Sequence, residues 1–123
     1  NLDYPHGTGH GVGFFLNVHE GPQSISKFNN IKIKEGMIMS NEPGYYKKNK
    51  FGIRIENLIY VLNKNNKLQF ANLTMVPIDL DLVNFKMLNN FEKKYLKKYH
   101  EIIYKTISYR LSNKERKWLK SLL

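Results

Sequence analysis

Three of the four histidines of this 123-residue chain, His6, His10 and His19, lie in one short stretch, with glycines alternating at Gly7, Gly9, Gly11 and Gly13. Further on, Glu42 stands before Pro43-Gly44 and the pair Tyr45 and Tyr46, and Arg54 and Glu56 stand two apart. Imidazole is a metal ligand and a proton carrier near neutral pH. One imidazole with two carboxylates makes an oxygen-rich ligand set with borderline nitrogen, suited to Mn, Co, Fe or Zn, and bridging carboxylates favour two ions about 3.5–4 Å apart. Such a pair turns water into hydroxide and polarises a carbonyl, which gives hydrolysis of an amide or ester. Cysteine is absent, so thiolate ligands and nucleophiles are excluded. The glycines let a backbone come close to whatever the imidazoles hold, and are expected to give clearance for a peptide lying across the loop. A Gly-rich turn with incidental histidines is the plainer alternative, which partners elsewhere in the chain must displace.

The elements that would position these groups are legible in part. His6 and His10 have the spacing of a helical metal pair, but the glycines around them disfavour a helix at about 1 kcal/mol each, so a loop feeding a short strand at Phe14–Val18 is expected. Met37 to Glu42 reads as a strand stopped by Pro-Gly, which puts a carboxylate at a strand end. Phe51 to Leu62 reads as one long strand with Ile53, Ile55, Ile59 and Val61 on one face and Arg54 and Glu56 together on the other; an exposed Arg/Glu face fits the same pattern. A hairpin turn at Asn63–Lys67 leads to a returning strand over Leu68–Pro77, with Leu73, Met75 and Val76 inward. Asp79 and Asp81 read as turn and capping residues.

From Asn90 the period lengthens to nearly four, and Phe91, Tyr95, Tyr99, Ile102, Ile103 and Ile107 make an apolar stripe on an amphipathic helix, leaving His100 at the surface. Ser112 and Glu115 form a capping box for a second helix that offers Trp118, Leu119, Leu122 and Leu123 for docking. The formal charge is +10; residues 86–123 hold eleven Lys/Arg against three Glu, residues 1–85 nine against seven acidic residues. The excess belongs to the tail and reads as a solvated face rather than a nucleic-acid footprint. No stretch approaches the roughly 20 apolar residues of a membrane span. The chain starts at Asn1, directly before the histidine motif, and is expected to be a piece lacking its front part.

Four segments carry a family resemblance: His6-Gly-Thr-Gly-His10-Gly-Val-Gly13, Asn17-Val-His19-Glu-Gly-Pro22, Asn41-Glu42-Pro-Gly-Tyr-Tyr46 and Gly52-Ile-Arg54-Ile-Glu56-Asn57. In order and spacing they resemble the C-terminal half of the catalytic domain of the aminopeptidase P (X-Pro aminopeptidase) family, cytosolic eukaryotic type, among the "pita-bread" metallopeptidases. The resemblance implies an α+β fold of antiparallel strands followed by C-terminal helices, with residues 1–77 as catalytic-domain half and 78–123 as helical extension. It implies a cytoplasmic, homodimeric enzyme that removes the N-terminal residue from peptides with proline second, using two divalent ions, Mn(II) with Co(II) or Zn(II) as alternatives.

By the same resemblance His10, Glu42 and Glu56 hold metal, and Glu42 also handles the proton of the attacking water. His6 and His19 contact the prolyl residue and stabilise the carbonyl as it becomes tetrahedral; Tyr46 and Arg54 keep the pocket polar and oriented. The family's two aspartate ligands and a proton-shuttling histidine lie upstream of any residue present, so the isolated chain is expected to be inactive. Prolidase, which shares the His, Glu, Glu set, is the rival within the class; a non-catalytic pita-bread binding module or a nucleic-acid binder is the rival outside it.

Overall fold

The computed structural model describes residues 2–15 and 17–123. Two compact units follow one another, residues 2–74 and 75–123.

The first unit is built of short antiparallel strands. β1 (Gly9–His10) pairs with β2 (Ser24–Ile25). β3 (Ile38–Asn41), β6 (Asn57–Lys64) and β7 (Lys67–Asn72) form a three-stranded sheet with β6 central, and β4 (Gly44–Lys47) pairs with β5 (Phe51–Arg54). Met39 lies opposite Ile59, and Val61 follows two residues on, on the same face. These three make the buried core, against which Ile25, Ile33 and Met37 pack. Asparagine fits the hairpin tips because it tolerates positive φ: Asn65 and Asn66 (φ 54° and 60°) close the β6–β7 turn and Asn49 (φ 59°) the β4–β5 turn.

Three strand expectations need correction. The returning strand expected over Leu68–Pro77 ends at Asn72. Phe14, Phe15 and Val18 lie in bends and stand exposed; Leu16, in the same expected strand, falls outside the described residues. Alternation alone cannot make a strand without a partner edge, and no strand among the described residues pairs with this stretch. Residues 51–62 are also not one strand. The chain leaves β5 at Arg54 and enters β6 at Asn57, changing sheets, and Ile55 donates its N–H to the Pro43 carbonyl (3.2 Å). Ile59 and Val61 are buried as expected, whereas Ile53 and Ile55 are exposed.

In the second unit, a 3-10 turn at Leu80–Leu82 is capped by Asp79, whose carboxylate accepts the Asp81 N–H. α1 (Asn90–Ile107) and α2 (Asn113–Ser121) each begin in a capping box, Asn89 with Glu92 and Ser112 with Glu115. The buried face of α1 is Leu96, Tyr99, His100 and Ile103, a stripe rotated from the one expected. Phe91, Tyr95 and Ile102 are exposed, as are Val76 in the connector and Trp118 on α2, while Leu119 is buried. Leu73, at the end of the first unit, is exposed too. His100, expected at the surface, is buried on this face, and its Nε2 accepts the Ile78 N–H (3.1 Å). Burial holds His100 below its ordinary value, against a smaller upward effect from the Leu123 backbone.

Candidate metal centre

The polar residues of the first unit gather where its sheets meet. His10 is on β1; its N–H donates to Ser40 Oγ on β3 (2.9 Å), and Gly11 bridges to Met39. Glu42 sits between β3 and β4, its N–H donating to the Thr8 carbonyl (2.7 Å). Glu56 sits at the crossing from β5 to β6. One ligand atom from each of His10, Glu42 and Glu56 lies within 4.8 Å of the others, although the three residues are far apart in the chain.

Glu42 is almost fully buried and its carboxylate is divided. Oε1 accepts the Ser40 hydroxyl (3.0 Å) and lies 3.1 Å from His10 Nε2; Oε2 accepts Arg54 Nη1 (2.8 Å). Arg54 also donates through Nε to the Tyr46 hydroxyl (2.9 Å), which lies 2.6 Å from His6 Nε2. That hydroxyl first, then the Glu42 and Glu56 carboxylates, hold the Arg54 guanidinium above its ordinary value against partial desolvation. Arg54 is therefore a permanent cation binding Glu42 and Tyr46 together.

The imidazoles can be assigned from what they face. A carbonyl only accepts, so His6 Nδ1, 2.8 Å from the Gly7 oxygen, carries the hydrogen, and His10 Nδ1, 2.9 Å from the Gly11 oxygen, does likewise. In the neutral ring of His6 both nitrogens are then engaged, Nε2 accepting from Tyr46. In the neutral ring of His10 the lone pair of Nε2 faces the Glu42 carboxylate at 3.1 Å. At that separation the pair either shares a proton as an ion pair or turns both lone pairs toward one cation beside them, and a ligand histidine oriented by Nδ1–H on a carbonyl is the usual arrangement at metal sites. The residues present fit a divalent ion. The His19 ring lies against that of His10, centroids 4.0 Å apart and tilted by 42°.

The seven residues given site roles by the resemblance, His6, His10, His19, Glu42, Tyr46, Arg54 and Glu56, thus fall in one network or against it, whereas Tyr45 lies exposed against Phe51. Ser40, fully buried and bonded to both His10 and Glu42, was missed; its place two residues before Glu42 on a strand, so on the same face, was the available signal. The glycines also read differently. A Cβ at Gly9 would stand 2.0 Å from the Ser40 carbonyl oxygen, one at Gly11 2.0 Å from that of Glu20, and one at Gly13 2.2 Å from that of Asn17. They are needed for backbone packing within the chain rather than as clearance for a peptide; only Gly7, whose nearest neighbours are 3.9 Å away, has such room.

Comparison with known proteins finds relatives along almost the whole chain. Residues 1–63 match Metallopeptidase family M24 and residues 66–122 match the C-terminal region of peptidase M24. A protein of Coprinopsis cinerea named Probable Xaa-Pro aminopeptidase P is 46% identical over 132 aligned positions, covering 97% of this chain and 21% of that protein. Xaa-Pro aminopeptidase 1 of Dictyostelium discoideum is 45% identical, covering 98% and 21%. The crystal structure of X-prolyl aminopeptidase from Caenorhabditis elegans, described as a cytosolic enzyme with a di-nuclear active site, superposes with TM-score 0.87 at 37% identity over 98% of this chain and 21% of that one. Antiparallel strands followed by helices, as expected for the pita-bread aminopeptidase fold, are therefore shared with that enzyme. The chain spans about a fifth of the length of these relatives. No helix among the described residues is long and apolar enough to cross a membrane.

Proposed function

The chain belongs to metallopeptidase family M24, and from that premise we propose that it forms the C-terminal half of the catalytic domain of an aminopeptidase that removes the N-terminal residue from peptides with proline second. The observation that carries the proposal is the convergence of His10, Glu42 and Glu56, one ligand atom of each lying within 4.8 Å of the others. These three residues would hold metal, and two upstream aspartates from the rest of the catalytic domain would complete a pair of divalent ions, Mn(II) with Co(II) or Zn(II) as alternatives. Such ions supply Lewis acidity and a nucleophilic water near neutral pH.

The chain's own residues orient the reaction. Glu42, its two oxygens held by Ser40 and Arg54, would take up the proton of the attacking water. His6 has both ring nitrogens engaged, so it meets the proline through its ring. His19, whose ring nitrogens make no hydrogen bond among the described residues, is left to donate to the carbonyl oxygen as charge develops. Tyr46 couples His6 to Arg54 and so ties the substrate pocket to Glu42. A cytoplasmic location and a homodimer belong to the same proposal, the first supported by the likeness to the cytosolic C. elegans enzyme, the second by family resemblance alone.

The test is release of the free N-terminal residue from an Xaa-Pro-Xaa peptide by the full-length protein with Mn(II). Turnover that Glu42→Ala abolishes is expected. No release by the wild type, indistinguishable from Glu42→Ala, would refute the proposal.

A further inference from the structure

Where the segment around β1 lies along β3, backbone meets backbone at two places: the Glu42 N–H donates to the Thr8 carbonyl (2.7 Å), and Gly11 bridges to Met39. At His10 a side chain takes over, and the backbone N–H donates to Ser40 Oγ (2.9 Å). Ser40 follows Met39 on β3 and so points away from the Met39 core, yet it is fully buried. A hydroxyl has one hydrogen to give and lone pairs with which to accept. Here the His10 N–H takes a lone pair, and the hydrogen goes to Glu42 Oε1 (3.0 Å), because a carboxylate only accepts. The hydroxyl is thereby fixed by two partners, on two of the three residues that converge with Glu56. Its backbone is fixed as well, since Ser40 lies opposite Leu58 in the β3–β6 ladder, and Leu58 stands two residues beyond Glu56.

We propose that Ser40 is a positioning residue that sets the place of His10 relative to Glu42 before any metal is bound. It acts through those two residues, as neither ligand nor proton carrier, and the proposal rests on the reading of His10 and Glu42 as groups that hold metal. Without the hydroxyl the His10 N–H loses its acceptor and β1 loses its side-chain tie to β3. Glu42 Oε1 loses its donor at the same moment, which leaves the carboxylate anchored by Arg54 at Oε2. A buried polar group without a partner is unfavourable, so the segment around His10 shifts to find one, and the 3.1 Å approach of His10 Nε2 to Glu42 is no longer held. Support carried on a paired strand is more exact than support carried on a loop, and losing a residue that orients ligands weakens metal binding by about 10–100-fold.

The experiment compares the full-length wild type with Ser40→Ala, Ser40→Thr and Met39→Ala in two measurements: Mn(II) affinity by calorimetry, and exchange of the His10 amide in the metal-free protein. Met39→Ala is the structural control, because it loosens the same strand from its opposite face. Ser40→Ala should bind Mn(II) about 10–100-fold more weakly and exchange the His10 amide faster. Ser40→Thr, which keeps the hydroxyl, should stay closer to the wild type in both, and Met39→Ala should lose less affinity than Ser40→Ala. The positioning role is overturned, with the metal centre left standing, if Ser40→Ala matches the wild type in either measurement, if Ser40→Thr is no better than Ser40→Ala, or if Met39→Ala loses as much affinity. A wild type that binds no Mn(II) overturns both.

Discussion

Replacing Gly9 by alanine tests whether the histidine loop is held by the sheet beneath it. The added Cβ would stand 2.0 Å from the Ser40 carbonyl oxygen and 2.9 Å from its carbon. Real Cβ contacts essentially never fall below 3.0 Å, and the obstacle is backbone, so β1 must move from β3 by at least 1.0 Å or its pairing must break. His10 is the next residue, and both its N–H bond to Ser40 Oγ (2.9 Å) and its approach to Glu42 (3.1 Å) run across that gap. Metal ligation tolerates about ±0.2 Å, and a misplacement of about 1 Å costs on the order of a hundredfold in rate. The full-length Gly9→Ala protein should therefore lose about a hundredfold in kcat/KM on an Xaa-Pro-Xaa peptide, and calorimetry should show weakened Mn(II) binding. Gly7→Ala is the matched control for metal binding, since a Cβ there meets nothing of the chain closer than 3.9 Å; it should bind Mn(II) as the wild type does. If Gly9→Ala binds Mn(II) as tightly as Gly7→Ala and keeps wild-type activity, the strand contact does not position His10.

Three further outcomes follow from particular contacts. Met39, fully buried at the centre of the first unit's core, should cost about 2–5 kcal/mol on truncation to alanine, read as a lowered denaturation midpoint of the full-length protein; an unchanged midpoint would contradict its place in the core. His100 takes up its proton in the folded state below its ordinary 6.5, chiefly because it is buried. The unfolded chain then binds the extra proton first, so its contribution to stability is complete above pH 6.5 and is lost progressively as pH falls toward the folded value. Exchange protection of the Ile78 amide, which His100 accepts, should fall over the same range, and protection flat from about pH 7 to pH 5 would contradict this. Ser112→Ala removes the cap of α2 and should cost about 1 kcal/mol; faster exchange confined to the first turn of α2 is the signature, and none would show the cap to be idle.

Residue type and spacing carried the site further than they carried the strands. The His, Glu, Glu set was legible because few combinations of side chains do the same chemistry, and Asn65-Asn66 was legible as a hairpin tip because few residues accept its backbone. The break between Arg54 and Asn57 was not, since the two-residue alternation runs on through Ile55 and Glu56 while the strand changes its partner; pairing is a property of the neighbour. His100 went astray for a similar reason. The face of α1 that turns inward is chosen by the Ile78 N–H and by the packing of Leu96 and Ile103, which no helical pattern contains. The capping box of Asn89 and Glu92, by contrast, was readable at its three-residue spacing and was passed over.

The ligands' positions at the junctions between sheets have a consequence for how the unit holds together. His10 belongs to the first pair of strands, Glu42 joins the second group to the third, and Glu56 leads from the third back to the second. An ion bound by all three would act as a rivet through pieces that are otherwise joined by a few backbone bonds, closing the chain between residues 10 and 56. The free energy of loading is then partly free energy of assembly, and the same interaction that prepares the chemistry would restrain the sheets from sliding past one another.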